Sequence, residues 1–483
     1  MSKLVNKSMS TKRFLIINGE KVETPKYASL YSPYSGEEIA QIAMADKDLT
    51  IQAITAAYNA RELMAKMPAY QRANILEKVV ALLKEKADEA AEIISRESAK
   101  PIMFAKAEVE RTIETYKFSA EEAKRIHGET IPFDAAVGGV GRIGYTLREP
   151  IGVVGAITPF NFPMNLVAHK VGPAIAAGNT IVLKPASQTP LSALFIAEIF
   201  EEAGLPAGVL NVVTGPGGIV GDAIVEDDRV SMVTFTGSPS VGIGIRNKAG
   251  LKKTTLELGS NSALIIDKDI DIDQMIDRCI MGAFSNQGQV CISLQRVYAH
   301  EDVYEQFVAK FTEAAKKLKI GDPLDPDTYI SSLISRGEAE RVLGWIEETK
   351  YSEATIVTGG KLQDGILEPT IITDADHSLK VSCQEAFAPV VIVNKVSSVE
   401  EAIGQVNDSR FGLQAGIYTN NVKNALYASR ELHVGGVMIN DVPTYRVDQM
   451  PYGGVKESGT GREGIKYALE EMTEMKLVVW NQS

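Results

Sequence analysis

From about residue 150 the chain falls into a rhythm that few folds accommodate. The β-branched runs GVVGAIT (152–158), TIVLKP (180–185), GVLNVVTG (208–215), SMVTFTG (231–237) and TTLELG (254–259) are each followed by a helix-like segment. Strands and helices alternating at that interval need right-handed crossovers, and hence a parallel sheet covered on both faces. This is a doubly wound, nucleotide-binding α/β pattern. After SALIID (262–267) a second α/β series runs to about residue 455, including VSCQEAFAPVVIV and VGGVMIN, and predicts another such domain. Upstream, QRANILEKVVALLKEKADEAAEII repeats Ile75, Val79, Leu82, Leu83, Ala87 and Ala90 at three- and four-residue steps, as a buried helix face does. GRIGYTLREP (141–150) and EMKLVVWN (474–481) are strand-like but belong to neither series, and edge strands of that kind point to association between chains.

At 483 residues the chain exceeds what one hydrophobic core organises, so two or three domains are expected. A net charge of −12 with no compensating basic run argues against nucleic acid and anionic membranes as partners. No stretch approaches eighteen consecutive apolar residues, which excludes a spanning helix. Cys279, Cys291 and Cys383 make neither a disulfide framework nor a metal-binding spacing, so no metal is expected and a reducing cytoplasm fits. The start, MSKLVNKSMSTKRFLI, lacks the apolar core of a secretory signal and reads as a flexible lead.

Three residues suggest chemistry. Cys291, in QGQVCIS, follows small and polar residues that let backbone approach closely; a thiolate there is a nucleophile, although a cysteine in a strand-like stretch is commonly a small core hydrophobe. Glu257 stands in the otherwise apolar TLELGSN, where an unpaired carboxylate is costly to bury. It is either a general base with a raised pKa or a carboxylate held by an arginine or by backbone. Asn161, in the Pro-bounded ITPFNFPMN, either donates its amide to an oxyanion or caps the next helix. The glycine-rich GPGGIVG (215–221) misses G-x-G-x-x-G by one position.

Taken in order, PFNFP, KPASQTP, FTGSPSVG, LELGSN, GQVC and QEAFAPV, followed by PYGGVKESGTGREG, resemble the NAD(P)-dependent aldehyde dehydrogenases over nearly the whole chain. The resemblance implies an α/β fold with two doubly wound parallel-sheet domains and a small β oligomerisation arm. Residues 1–127 and 148–256 would form the dinucleotide-binding domain, 257–469 the catalytic domain, and 128–147 with 470–483 the arm of a homodimer or homotetramer. It further implies that Cys291 attacks the aldehyde carbon, that Asn161 and the Cys291 N–H hold the oxyanion, and that Glu257 activates the water that cleaves the thioester. Lys184 would position Asn161 and the cofactor ribose. The cofactor would meet Thr158, Pro159, Phe160, Lys184, Ser187, Gly237, Ser238, Gly242, Leu258 and Gly259, with Glu385 taking the nicotinamide ribose hydroxyls and Phe387 beside it. On the residues alone, Gly237 and Gly242 also read as turn and packing glycines.

Ser187 stands where relatives strict for NAD often carry a glutamate that repels a 2′-phosphate, so NADP is expected to be tolerated or preferred, with NAD not excluded. The run KPASQTPLSALFIAEIFEEAGLPAGVLNVVTG resembles succinate semialdehyde dehydrogenases, but the two arginines that group commonly uses are His169 and Ser285 here. INDVPTYRVDQMPYGG instead resembles enzymes of glyceraldehyde 3-phosphate or lactaldehyde, placing Arg446 and Phe162 near a hydroxylated or anionic substrate tail; a surface or inter-subunit ion pair is the other reading of Arg446. Ser260 in LELGS and Ala388 in EAFAP replace the family's usual glycines. A CoA-acylating relative, and more distantly a non-catalytic protein of the same fold, are the rival readings.

Overall fold

A computed structural model describes residues 11–482. Five of the strands read from the sequence lie parallel in one sheet, in the spatial order Lys253–Glu257, Val230–Thr236, Val153–Ile157, Thr180–Lys184, Leu210–Val212. The chain winds outward one way from Val153–Ile157 and then returns to wind the other way from Val230–Thr236. A crevice therefore opens between the carboxyl ends of those two neighbours, the usual ligand position in such sheets. The helix Asn165–Ala177, buried along its whole length, makes the first crossover.

The sheet is mixed where a wholly parallel one was expected. Leu15–Ile17 and Gly459–Thr460 add antiparallel strands at opposite ends, and Glu20–Val22 extends the former. Parallel pairs require long crossovers, whereas segments arriving from elsewhere can cap the edges antiparallel. Residues on both sides of the expected 256/257 division thus share one sheet, with Glu257 paired to Gly459.

Of the segment expected as a flexible lead, residues 1–10 lie outside the described residues, and the remainder is ordered into strands. Thr11–Arg13 pairs with Glu38–Ala43, and Leu15, Ile16 and Ile17 are buried. Their apolar side chains gain more from the sheet than a solvated tail would. The single helical pattern expected over 71–94 is two helices, Ala69–Glu85 and Ala87–Ser98, broken at Lys86 (φ −103°, ψ 21°). The break lets Val79 and Leu83 on the first helix and Ala90 and Ile94 on the second face one core, with Leu82 and Ala87 half-buried near the bend.

The second series forms a seven-stranded sheet, parallel except for its edge pair Thr355–Thr358 and Thr370–Thr373. The two orphan strands of the sequence find each other: Arg142–Pro150 and Thr473–Asn481 pair antiparallel over nine residues, flanked by Thr130–Ile131. Ile143, Leu147, Met475, Leu477 and Trp480 stand exposed on this arm. Among the described residues no helix is long and apolar enough to cross a membrane.

Candidate active site

Cys291 lies in a turn, not in the strand-like setting its neighbours suggested. Asn286 (φ 49°), Gln287 (φ 55°) and Gly288 (φ 69°) adopt three successive left-handed conformations after the helix Ile276–Phe284, and this coil delivers the sulfur to a cavity. The coil is fixed from outside: the Gln287 amide donates to the carbonyls of Ala99 and Ser332, and the Gln289 side chain accepts from the Ile334 N–H. A side chain at Gly288 would meet the Ala388 carbonyl oxygen at 2.2 Å.

Cys291 sits in the wall of a cavity of about 600 Å³. Phe104, Phe162, Leu166 and Ile292 give it an apolar lining, and Arg111, Arg446, Ser285 and Thr444 supply polar groups. Burial pushes the thiol up to about 11; Tyr452, whose hydroxyl lies 2.7 Å from Sγ, and Arg446 oppose that rise.

Glu257 ends its strand buried, and neither carboxyl oxygen has a hydrogen-bond partner among the described residues. This sets aside the reading in which an arginine or backbone holds it. Burial raises its pKa well above the ordinary range, and the negative charge of Glu463 raises it further. Glu463 takes the cations instead: Lys170 Nζ lies 3.1 Å and Arg446 Nη2 2.9 Å from its oxygens, and Lys170 leads the cations that hold it ionised against burial. Two neighbouring buried carboxyls are thereby driven to opposite protonation states.

Asn161 does not cap the following helix. Glu108 does that, accepting from the N–H groups of Met164 and Asn165 at 2.9 and 3.1 Å. The Asn161 amide donates to the Gln289 carbonyl at 3.0 Å, two residues before Cys291. Its own carbonyl accepts from Lys100 Nζ at 2.7 Å and from the Asn286 amide at 3.1 Å, and Lys100 forms a fully buried ion pair with Glu108. Asn161 and the cysteine coil are therefore one hydrogen-bonded unit.

The expected substrate residues separate into two groups. Phe162, Ser285 and Arg446 line the cavity. His169 does not; it lies buried behind the wall, hydrogen-bonded to Asp448 at 2.8 Å and to Arg446 at 3.2 Å. Arg446 is neither at the surface nor free to pair with another subunit through its Glu463-bound Nη2, because that pair is buried within the chain. Arg111, absent from the sequence reading, joins Arg446 at the cavity and is held by Asp448 at 2.8 Å. The buried Nε–H groups of both arginines have no acceptor among the described residues.

The expected cofactor residues gather about the crevice of the first sheet. Thr158, Pro159 and Phe160 follow Val153–Ile157, and Gly237 and Ser238 follow Val230–Thr236. Ser238 precedes the helix Pro239–Lys248 without capping it; its exposed hydroxyl lies 3.3 Å from that of Ser240, which leaves the helix N-terminus open to an anion. Gly242 has a packing reason of its own, since a Cβ there would lie 2.4 Å from Leu258; at Gly237 it would meet the Phe235 ring at 2.5 Å. Lys184 is buried with Nζ on the Pro185 carbonyl, and burial lowers it to about 8. Ser187 is exposed.

Across the crevice Glu385 accepts from the Ser260 N–H at 2.8 Å, and burial raises it to about 7. A Cβ on Gly259 would fall 2.6 Å from its carboxylate, so glycine leaves that acid open to a ligand. Phe387, held at φ 51°, meets Phe160 edge to face. These exposed donors and the open acid fit a dinucleotide.

The profile of the aldehyde dehydrogenase family matches residues 21–478. A 3-sulfolactaldehyde dehydrogenase from Priestia aryabhattai is 47% identical over 467 residues, covering 97% of this chain and 98% of its own. Among solved structures, aldehyde dehydrogenase 21 from Physcomitrella patens, in complex with the reaction product succinate, superposes with a TM-score of 0.96 at 41% identity, covering 98% of this chain and 99% of its own. A glyceraldehyde-3-phosphate dehydrogenase from Methanocaldococcus jannaschii complexed with NADP does so at 0.91 and 40%, covering 95% and 100%. The chain belongs to the aldehyde dehydrogenase family and is an NAD(P)-dependent oxidoreductase of aldehydes.

Proposed function

We propose that this enzyme oxidises a small hydroxylated or anionic aldehyde to its free acid through a covalent adduct on Cys291. What carries the reading is a thiol in the wall of an arginine-lined cavity beside a buried, unpartnered carboxyl. The Cys291 thiolate attacks the aldehyde carbon, and the oxyanion is received by the Asn161 amide, released from Gln289, with the Cys291 N–H. Bound NAD(P) supplies the hydride acceptor. Glu257, in the fraction that has given up its own proton to solvent, then takes a proton from the water that cleaves the thioester; its raised pKa makes that base form a strong acceptor. Lys170 and Arg446 keep Glu463 ionised beside it.

Thr158 to Phe160, Lys184, Ser187, Gly237, Ser238, Leu258, Gly259, Glu385 and Phe387 hold the cofactor in this reading, and exposed Ser187 leaves room for a 2′-phosphate, so NADP is accepted along with NAD. The substrate tail lies toward Phe162, Ser285, Arg111 and Arg446, whose unsatisfied Nε–H groups suit a hydroxyl or an anionic oxygen. The names of the Priestia and Methanocaldococcus relatives, both enzymes of aldehydes with an anionic tail, support the same class. Residues 1–127 and 148–256 serve as the dinucleotide domain, whose sheet borrows Glu257 and the edge strand Gly459–Thr460 from the catalytic domain 257–469, and 128–147 with 470–483 as the arm joining subunits of a dimer or tetramer. The test is a panel of lactaldehyde, glycolaldehyde, glyceraldehyde 3-phosphate, sulfolactaldehyde and succinate semialdehyde, run beside propanal and butanal, with each cofactor. A preference in kcat/KM for the unsubstituted aliphatic aldehydes over every member of the panel sinks the substrate class.

A further inference from the structure

We propose that Tyr452 is a catalytic residue whose phenolic O–H donates to the Cys291 sulfur and stabilises the attacking thiolate. The proposal rests on Cys291 being the nucleophile and adds a group that stabilises its ionised form. Tyr452 is buried, and its main chain is clamped to Glu463 in both directions, N–H to carbonyl at 3.0 Å and back at 2.7 Å. That clamp aims the ring across the cavity wall, where Oη reaches Sγ at 2.7 Å. The Arg446 guanidinium lies 3.7 Å from the ring centroid on its face. Val290, Ile292, Leu413 and Phe162 pack around the pair, so a sulfur anion there has few polar neighbours to turn to.

The charges facing the sulfur are Arg446, which favours thiolate, and Glu257 and Glu385, which oppose it. Those facing the phenol are Cys291, Arg446 and Glu257, and burial holds its proton well above the ordinary tyrosine range. The phenol is thus a donor throughout. The thiol proton leaves to solvent, the phenolic proton stays on Oη, and the O–H turns its full strength on Sγ when sulfur becomes negative. Attack on the aldehyde ends that charge and releases the hydroxyl.

The test is alkylation of the full-length enzyme by iodoacetamide at about pH 8, read by mass spectrometry on the GQVC peptide with the Cys383 peptide as internal reference. Tyr452→Phe is expected to slow labelling of Cys291 about tenfold, the share of one charge-assisted hydrogen bond. 3-Fluorotyrosine at position 452 keeps the shape and makes the phenol a stronger donor, so labelling is expected to speed up. The same Tyr452→Phe change is expected to slow the first burst of NAD(P)H about tenfold. Equal or faster labelling in Tyr452→Phe overturns the proposal, as does slower labelling with fluorotyrosine, which marks a packing role. Since labelling needs no turnover, these outcomes leave the role of Cys291 to be judged separately by Cys291→Ala.

Discussion

The surroundings of Cys291 and the crevice of the first sheet are built on opposite principles. Around the cavity these charges are fixed in pairs: Lys100 by Glu108, Lys170 and Arg446 by Glu463, Arg111 by Asp448. Glu257 alone is left unpaired among them. Along the crevice, Ser187 and Ser238 are exposed, and the helix end behind Ser238 is uncapped. Removing one member of a buried pair leaves an uncompensated charge, whereas changing an exposed hydroxyl alters only what can approach it. Chemistry should therefore fail abruptly on the cavity side and shift gradually on the crevice side.

The largest expected effect is that of Cys291→Ala, which should abolish aldehyde oxidation while tryptophan-fluorescence titration still shows cofactor binding; full turnover by this variant would refute the nucleophile. Next comes Glu257→Gln. One round of NAD(P)H formation should survive and steady-state turnover should fall by about 100-fold or more, so an unchanged steady-state rate would remove Glu257 as the base. In the native enzyme, hydrolysis of a preformed acyl-enzyme should quicken as pH rises above the ordinary carboxylate range, because the Glu257 pKa is raised and the base form accumulates only there. A flat profile between about pH 5 and 8 would contradict that.

Arg111→Ala should raise KM for an anionic aldehyde about tenfold or more with a smaller change for an uncharged one, the share of one charge-assisted contact. Equal effects on the two would place the anionic tail elsewhere. The smallest effect belongs to the crevice: Ser187→Glu should weaken NADP by about tenfold while sparing NAD, by like-charge repulsion at an exposed site. Equal losses for both cofactors would show that Ser187 does not sit near the 2′-position. A Ser187 effect larger than that of Glu257 would erase the contrast between the two regions.

Part of this arrangement could be read along the chain. Cys291, Glu257 and Asn161 each stand in a short run whose composition is odd for a plain strand or helix, and the alternating strands announce the first sheet. Arg111 could not be read. It sits on the helix Ile102–Ala123 among other charged residues, and its partner Asp448 lies 337 positions away. Lys170 and Glu463 are separated by 293 positions and meet only because the loop after Gly459–Thr460 returns across the first sheet. Tyr452 and Glu463 were in view within PYGGVKESGTGREG, but nothing local tells a core aromatic from one aimed at a sulfur. The turn at Cys291 had a sign in Asn286 and Gly288, residues that tolerate left-handed backbone, which outweighed the β-like look of QVCIS. The break at Lys86 had none, since the apolar spacing runs through it unbroken.

The close approach of Gly288 to the Ala388 carbonyl joins the nucleophile's coil to the segment that carries Glu385 and Phe387. With no gap between them, the sulfur's support and the far wall of the crevice are one mechanical piece. A side chain at 288 would run into main chain that no replacement at 388 removes, so this position is expected to stay glycine, and directed evolution that randomises it will find mostly dead variants.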